Sequence, residues 1–199
     1  MDIKKVVNFI FELNQLKRQP HIGFQLAGVE NPDSVAEHAF RAAQIGYVLA
    51  IMEGDADAEK VVTMLVIHDN GEARVGDQHK LAARYVTKKE GEAQAFQDQL
   101  SGLGEQLGGK WDKYIFEYSE RNTKEGIIAK DADWLETAFQ AKEYADLGYS
   151  AAQDWIDNVE KALETGSAKQ VLARMKETHF TDWWQGLKKM TYTKLDKQD

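Results

Sequence analysis

Apolar residues recur at three- and four-residue steps along most of this chain, which is the spacing of one helix face. Ile3, Val6, Val7, Ile10, Leu13 and Leu16 predict a first helix over about 3–16. Residues 17–33 hold both prolines, Pro20 and Pro32, with Gly23, Gly28, Asn31 and Asp33, and so read as a loop. Ser34 and Glu37 stand three apart just before the next periodic stretch and form an N-cap with its capping-box partner. The helix they open runs through Val35, Ala39, Ala42, Ile45, Leu49 and Met52 and ends near Gly54. Asp55 or Asp57 caps the following helix, whose nearly unbroken apolar run from Val61 to Ile67 predicts a central, buried element. It stops at His68-Asp69.

Gly71 and Gly76 bracket a turn-rich segment, and beyond it the pattern predicts a helix over about 81–107, bent near Gly91. A glycine-rich turn follows (Gly102, Gly104, Gly108, Gly109), lacking the strand and the Lys-Ser/Thr pair of a phosphate loop. Then come a short helix over 111–118, a long one over 127–147, and C-terminal helices over 151–163, 168–176 and 182–190. Ile128, Asp131, Leu135, Ala138 and Phe139 lie near one face of the long helix. The tryptophans at 111, 134, 155, 183 and 184 fall at helical spacings and read as core or dimer packing. No alternating strand pattern or internal repeat is present. The fold predicted is all-α, a single domain over 1–199 with its core at about 30–147 and the helices of 151–190 appended.

Composition narrows the chemistry. With 33 acidic against 25 basic side chains the formal charge is −8, which argues against a nucleic-acid polymer as partner, since that partnership rests on a basic face. No apolar run approaches the roughly 20 residues of a membrane span, and the first residues do not read as a signal peptide. The chain has no cysteine, so thiolate metal sites, cysteine nucleophiles and disulfides are excluded. That composition fits a reducing cytoplasm.

What remains for chemistry is imidazole and carboxylate. A His-Asp pair alone more often ends a helix than binds a metal. Here His38 falls on or beside the apolar face of its helix, and Asp131 and Asp133 lie inside an apolar-periodic stretch where a buried carboxylate needs a partner. Two histidines and two carboxylates make a nitrogen and oxygen site suited to Mn, Fe, Co, Ni, Zn or Mg. Four such ligands leave positions open for a water and a phosphate oxygen.

The order His38, His68-Asp69, late Asp resembles the HD-domain metal-dependent phosphohydrolases, an all-helical superfamily. Leu16-Lys17-Arg18, the run from Gly28 to His38, His68-Asp69-Asn70-Gly71-Glu72, Gly76-Asp77 and Ala132-Asp133-Trp134-Leu135-Glu136 resemble more narrowly its YfbR-type 5′-deoxynucleotidase subfamily. The resemblance covers about half the chain and none of the last 50 residues. It implies a divalent metal held by His38, His68, Asp69 and Asp133, the last preferred to Asp131 because the family places it three residues before a glutamate. It implies Glu72 as the group that orients or deprotonates the attacking water, and Asp77 as a catalytic or sugar contact. His79 and Lys80 would contact the nucleotide, and Arg18 its phosphate. Relatives often carry Arg and Trp in the loop where this chain has His21 and Phe24, which makes Phe24 a candidate sugar contact.

The function implied is release of phosphate from (deoxy)nucleoside 5′-monophosphates by a cytoplasmic homodimer. Two alternatives stand beside it. One is another HD-type hydrolase, acting on alarmones or nucleoside polyphosphates, against which Ala73 after Glu72 argues, because those relatives often carry an acidic pair there. The other is a non-catalytic nucleotide-binding module, against which the intact ligand set argues.

Overall fold

The computed structural model describes residues 2–187, without the side chain of Lys88. Its helices are α1 (Ile3–Leu13), α2 (Val35–Glu53), α3 (Ala58–Ile67), α4 (Glu72–Val75), α5 (Lys88–Leu100), α6 (Glu105–Glu120), α7 (Lys124–Asp146), α8 (Gln153–Ala162) and α9 (Gly166–Lys176). Among the described residues there is no strand, only an isolated bridge between Pro20 and Ser34. The all-α expectation is met.

Three helices position the site, and their sequences say why they meet. α2 starts at the capping box read from the sequence: Ser34 Oγ accepts the Glu37 N–H (3.3 Å) and Glu37 Oε2 accepts the Ser34 N–H (2.7 Å). The face of α2 that turns inward is small, with Ala42, Ala43, Gly46 and Ala50 buried. A Cβ on Gly46 would lie 2.2 Å from Leu65 Cδ1 and 2.9 Å from Val61 Cγ1, so glycine there is what lets α3 come close. Asp57, one of the two expected caps, starts α3 by accepting the Lys60 N–H (2.9 Å).

On α3, Val61, Met64 and Leu65 are fully buried, as the apolar run predicts. Each contributes roughly 1.5–3 kcal/mol of burial. α7 lies against both helices through Ile128, Ala132, Leu135 and Ala138, all without solvent exposure. α8 and α9 close the other side with Ile156, Val159, Leu172 and Met175. A smaller cluster, Ile67, Phe96, Leu100 and Leu103, joins the end of α3 to α5, with Phe9 of α1 and Trp111 of α6 against it.

The structure corrects several boundaries. The helix expected over 81–107 is a short 3₁₀ turn at Ala82–Arg84, then α5, which ends at Leu100 and is unbroken at Gly91. The glycine-rich turn narrows to 101–104, because α6 begins at Glu105 and absorbs Gly108 and Gly109. α1 stops at Leu13, and its apolar stripe is largely uncovered, with Ile3 71% and Ile10 61% exposed. Of the segment expected as a helix over 182–190, Asp182–Trp184 form a 3₁₀ turn, residues 188–190 lie outside the described residues, and Trp183 is exposed rather than core.

Candidate metal centre

His38 lies on the second turn of α2, His68 and Asp69 follow directly on α3, and Asp133 lies midway along α7. After Ile67 the α-helix gives way to tighter turns, with the Asn70 N–H on the Ile67 carbonyl (3.2 Å) and the Glu72 N–H on that of Asp69 (2.9 Å), and the adjacent His68 and Asp69 face the same space. Four atoms converge there. His38 Nε2 is 3.2 Å from Asp133 Oδ1 and 3.8 Å from Asp69 Oδ2, and His68 Nε2 is 3.0 Å from Asp69 Oδ2 and 3.8 Å from Asp133 Oδ1.

The outer atoms of these side chains are already engaged. His68 Nδ1 donates to the Leu65 carbonyl oxygen (2.7 Å), and His38 Nδ1 donates to Glu136 Oε2. Asp133 Oδ2 accepts from Tyr118 Oη (2.6 Å) and Lys130 Nζ (2.8 Å). His68 Nε2, by contrast, is buried and makes no hydrogen bond. With Asp69 Oδ2 3.0 Å away but no hydrogen bond made, that nitrogen is poorly satisfied, and a divalent cation is what this donor set fits: imidazole nitrogens fixed by their opposite nitrogens, with carboxylate oxygens beside them.

Electrostatics agree. Burial by itself would push Asp69 and Asp133 up, yet the neighbouring His68 and His38, and Lys130 beside Asp133, hold both carboxyls below their ordinary range. Burial would likewise depress the imidazoles, but Asp133 and Glu136 raise His38, and Asp69 raises His68. The two sets of shifts are reciprocal, each imidazole and carboxylate favouring the charge of its neighbour. Tyr118 goes the other way: burial and the Asp133 charge raise its hydroxyl well above normal, which keeps it a donor.

A cavity of about 310 Å³ opens beside the cluster, lined by His68, Asp69, Glu72, Lys89, Lys130 and Asp133 among others. Glu72 begins α4, is 6% exposed, and brings its carboxylate within 4.8 Å of those of Asp69 and Glu92. Gly71 is required just before it, since a Cβ there would come within 2.6 Å of the Glu92 carbonyl oxygen.

The remaining expected residues fall on the rim or away from it. Asp77 uses both oxygens as acceptors, Oδ2 from the Ile22 N–H (2.8 Å) and Oδ1 from the Gln78 N–H (2.6 Å). That arrangement ties the segment after α4 to the loop that holds Ile22. Arg18 and Lys80 are exposed on the two segments so joined, and His79 Nδ1 accepts the Ala82 N–H (3.1 Å).

Phe24 is not brought to the cluster. It is 1% exposed, with its ring against Tyr144 (5.0 Å) and Trp155 (5.3 Å), and the ring nearer the centre is His21, 4.6 Å from His38. Of the two aspartates left open by the spacing, Asp133 faces the histidines. Asp131 accepts the Glu164 N–H, the Thr165 N–H and the Thr165 hydroxyl, and so anchors the start of α9. Pattern reasoning missed Arg41, Tyr118, Lys130 and Glu92 altogether and used Glu136 only as a spacing marker. A signal was present for Arg41 and Glu136, each three residues beyond a candidate ligand and so on the same helix face.

A family model described as HD domain matches residues 13–175. The chain is 32% identical over 140 residues to the 5′-deoxynucleotidase HDDC2 of Dictyostelium discoideum, covering 65% of this chain and 72% of that protein. To the 5′-deoxynucleotidase HDDC2 of Homo sapiens it is 26% identical over 186 residues, covering 90% and 88% respectively. Among solved structures, a conserved hypothetical protein from Pyrococcus furiosus is similar at a TM-score of 0.74 and 33% identity, covering 86% of this chain and 99% of that one.

Proposed function

The chain belongs to the HD-domain family, and on that premise we propose that it is a metal-dependent phosphohydrolase releasing phosphate from nucleoside 5′-monophosphates. The activity named for its curated relatives, 5′-deoxynucleotidase, points to deoxynucleotides as the preferred class. The observation that carries the reading is the convergence of His38 Nε2, His68 Nε2, Asp69 and Asp133 on one buried space that opens into a cavity.

These four residues would hold the cation, which when bound supplies Lewis-acid neutralisation of phosphoryl oxygen charge and favours ionisation of water. Two imidazoles with two carboxylates suit Mn, Co, Fe, Ni, Zn or Mg. Hydrolysis further requires a water aligned with the P–O5′ bond, a group to take its proton, and cations for the charge that spreads over the phosphoryl oxygens. Glu72, on the cavity wall three residues beyond Asp69, takes that proton. Lys89 and Lys130 line the same cavity and are the cations available to a phosphoryl group bound there. Arg18, His79 and Lys80 meet the outer part of the nucleotide from the loops that Asp77 holds together.

Two further elements belong to the reading. The outer face of α2 exposes Phe40 (71%), Val48 (54%) and Ile51 (60%), an apolar stripe fitted to a second copy of the chain, and light scattering checks the homodimer. No helix among the described residues is long and apolar enough to cross a membrane. The absence of cysteine accords with a cytoplasmic enzyme.

The test is phosphate release from a panel of ribo- and deoxyribonucleoside 5′-monophosphates with Mn²⁺, Co²⁺, Mg²⁺ or no metal. Metal-dependent release, faster from deoxynucleotides, is expected. Metal-loaded protein that hydrolyses no monophosphate overturns the reading.

A further inference from the structure

The two histidines of the cluster are backed by different partners. Behind His68 stands a neutral backbone carbonyl, Leu65 O. Behind His38 stands Glu136, a carboxylate only 1% exposed. A buried carboxylate is costly unless its oxygens are paired, and here both are. Oε2 accepts from His38 Nδ1, and Oε1 accepts from Arg41 Nε (2.7 Å) with Arg41 Nη2 2.6 Å away. The same guanidinium is fixed on its other edge, Nη1 donating to Glu143 Oε1 (2.7 Å) and Nη2 to Gln140 Oε1 (2.6 Å).

The sequence builds this from two helix faces. His38 and Arg41 are three apart on α2, while Asp133, Glu136, Gln140 and Glu143 follow at steps of three, four and three on α7. Asp133 of that α7 row meets His38 at Nε2, and Glu136 meets it at Nδ1. The imidazole is therefore held from both nitrogens by one helix.

We propose that Glu136, held by Arg41, is the positioning residue of the centre: it fixes His38 with the proton on Nδ1 and the Nε2 lone pair aimed at the space shared with His68, Asp69 and Asp133. A carboxylate can only accept from the ring, so the tautomer is dictated by the partner. A charged acceptor also makes the opposite nitrogen a better donor than a carbonyl does, which makes His38 the stronger of the two imidazole ligands. Arg41 keeps the Glu136 carboxylate in register and remains 33% exposed at the side chain, so the brace runs from the centre to the surface. This inference rests on the reading of the cluster as a metal centre and assigns a duty that none of its four ligands performs.

The test uses Zn²⁺ as probe. Its affinity is measured by calorimetric competition with a chelator, and the His38 ring by long-range ¹H–¹⁵N correlation on the Zn²⁺-loaded protein. In the native chain His38 is expected to show a hydrogen-bonded, strongly downfield Nδ1 proton. In Glu136→Gln that resonance is expected to move upfield and Zn²⁺ affinity to fall by about 10–100-fold. Arg41→Lys, which leaves the carboxylate in place, is expected to give a smaller loss of the same kind. Because removing one member can strand the other, Glu136→Gln with Arg41→Met is made in parallel, removing the buried pair together, and is expected to show the same loss of affinity. Zn²⁺ affinity and a His38 signal unchanged in both Glu136→Gln and the double variant overturn the inference. A native chain that binds neither Zn²⁺ nor Mn²⁺ overturns the metal-centre reading beneath it.

Discussion

The ligand cluster and the segment that follows it are close in sequence and built by opposite means. His38, His68 and Asp133 project from α2, the end of α3 and α7, each no more than 9% exposed, with their outer atoms tied to Glu136, Leu65, Tyr118 and Lys130. The segment from Gly76 to Thr87 holds a single 3₁₀ turn and leaves Leu81 (54%), Tyr85 (77%) and Val86 (53%) exposed. Asp77 ties it to the body through the Ile22 N–H. The cluster is held by helices and by hydrogen bonds to its outer atoms, the kind of support that precise placement of ligating atoms requires. The loop side, with few buried contacts, is where local opening is cheapest.

Breaking the cluster has the largest expected effect. Asp69→Ala removes one of the two carboxylates that stand near both histidines. Several kcal/mol of transition-state stabilisation should go with the metal, so phosphate release should fall roughly 10³-fold or more, and bound metal measured by elemental analysis should fall with it.

Gly46→Ala tests the same region through packing alone. The new Cβ would press on Leu65 and Val61 and force α2 from α3. Overpacking of this kind costs about 1–3 kcal/mol, so the melting temperature should drop by roughly 4–8 °C for a 2 kcal/mol loss in a chain of this size. An unchanged melting curve would contradict the packing account.

The smallest effects belong to the loop side. Arg18→Ala and Lys80→Ala remove exposed side chains, so stability should stay within about 0.5 kcal/mol. If these residues meet the nucleotide, KM rises while metal content is unchanged. A loss of metal in either variant would erase the distinction between the two regions.

How much of this could be read from the sequence depends on how local each signal is. The Ser34–Glu37 capping box and the Asp57 cap involve residues three apart, and both form. The buried run of α3 needs no partner to be recognised. By contrast, the break before α5 was hidden because 81–107 keeps enough apolar periodicity to look continuous, and the structure places a 3₁₀ turn there. Glu136 meets Arg41 across 95 residues of sequence, and Tyr118 meets Asp133 only because α6 folds back on α7. The placement of Phe24 away from the cluster is not legible either, because a loop aromatic carries no mark of burial and its neighbours Tyr144 and Trp155 are distant in sequence.

The central claim is that His38, His68, Asp69 and Asp133 hold a cation on which phosphate release depends. The most direct measurement is phosphate release from a 2′-deoxynucleoside 5′-monophosphate by chelator-stripped protein, before and after Mn²⁺ is returned, with Asp133→Ala alongside. The account predicts no release from stripped protein, restoration by Mn²⁺ in the native chain, and none in the variant. Stripped protein that hydrolyses as fast as loaded protein, or an Asp133→Ala variant restored to the native rate, would contradict it.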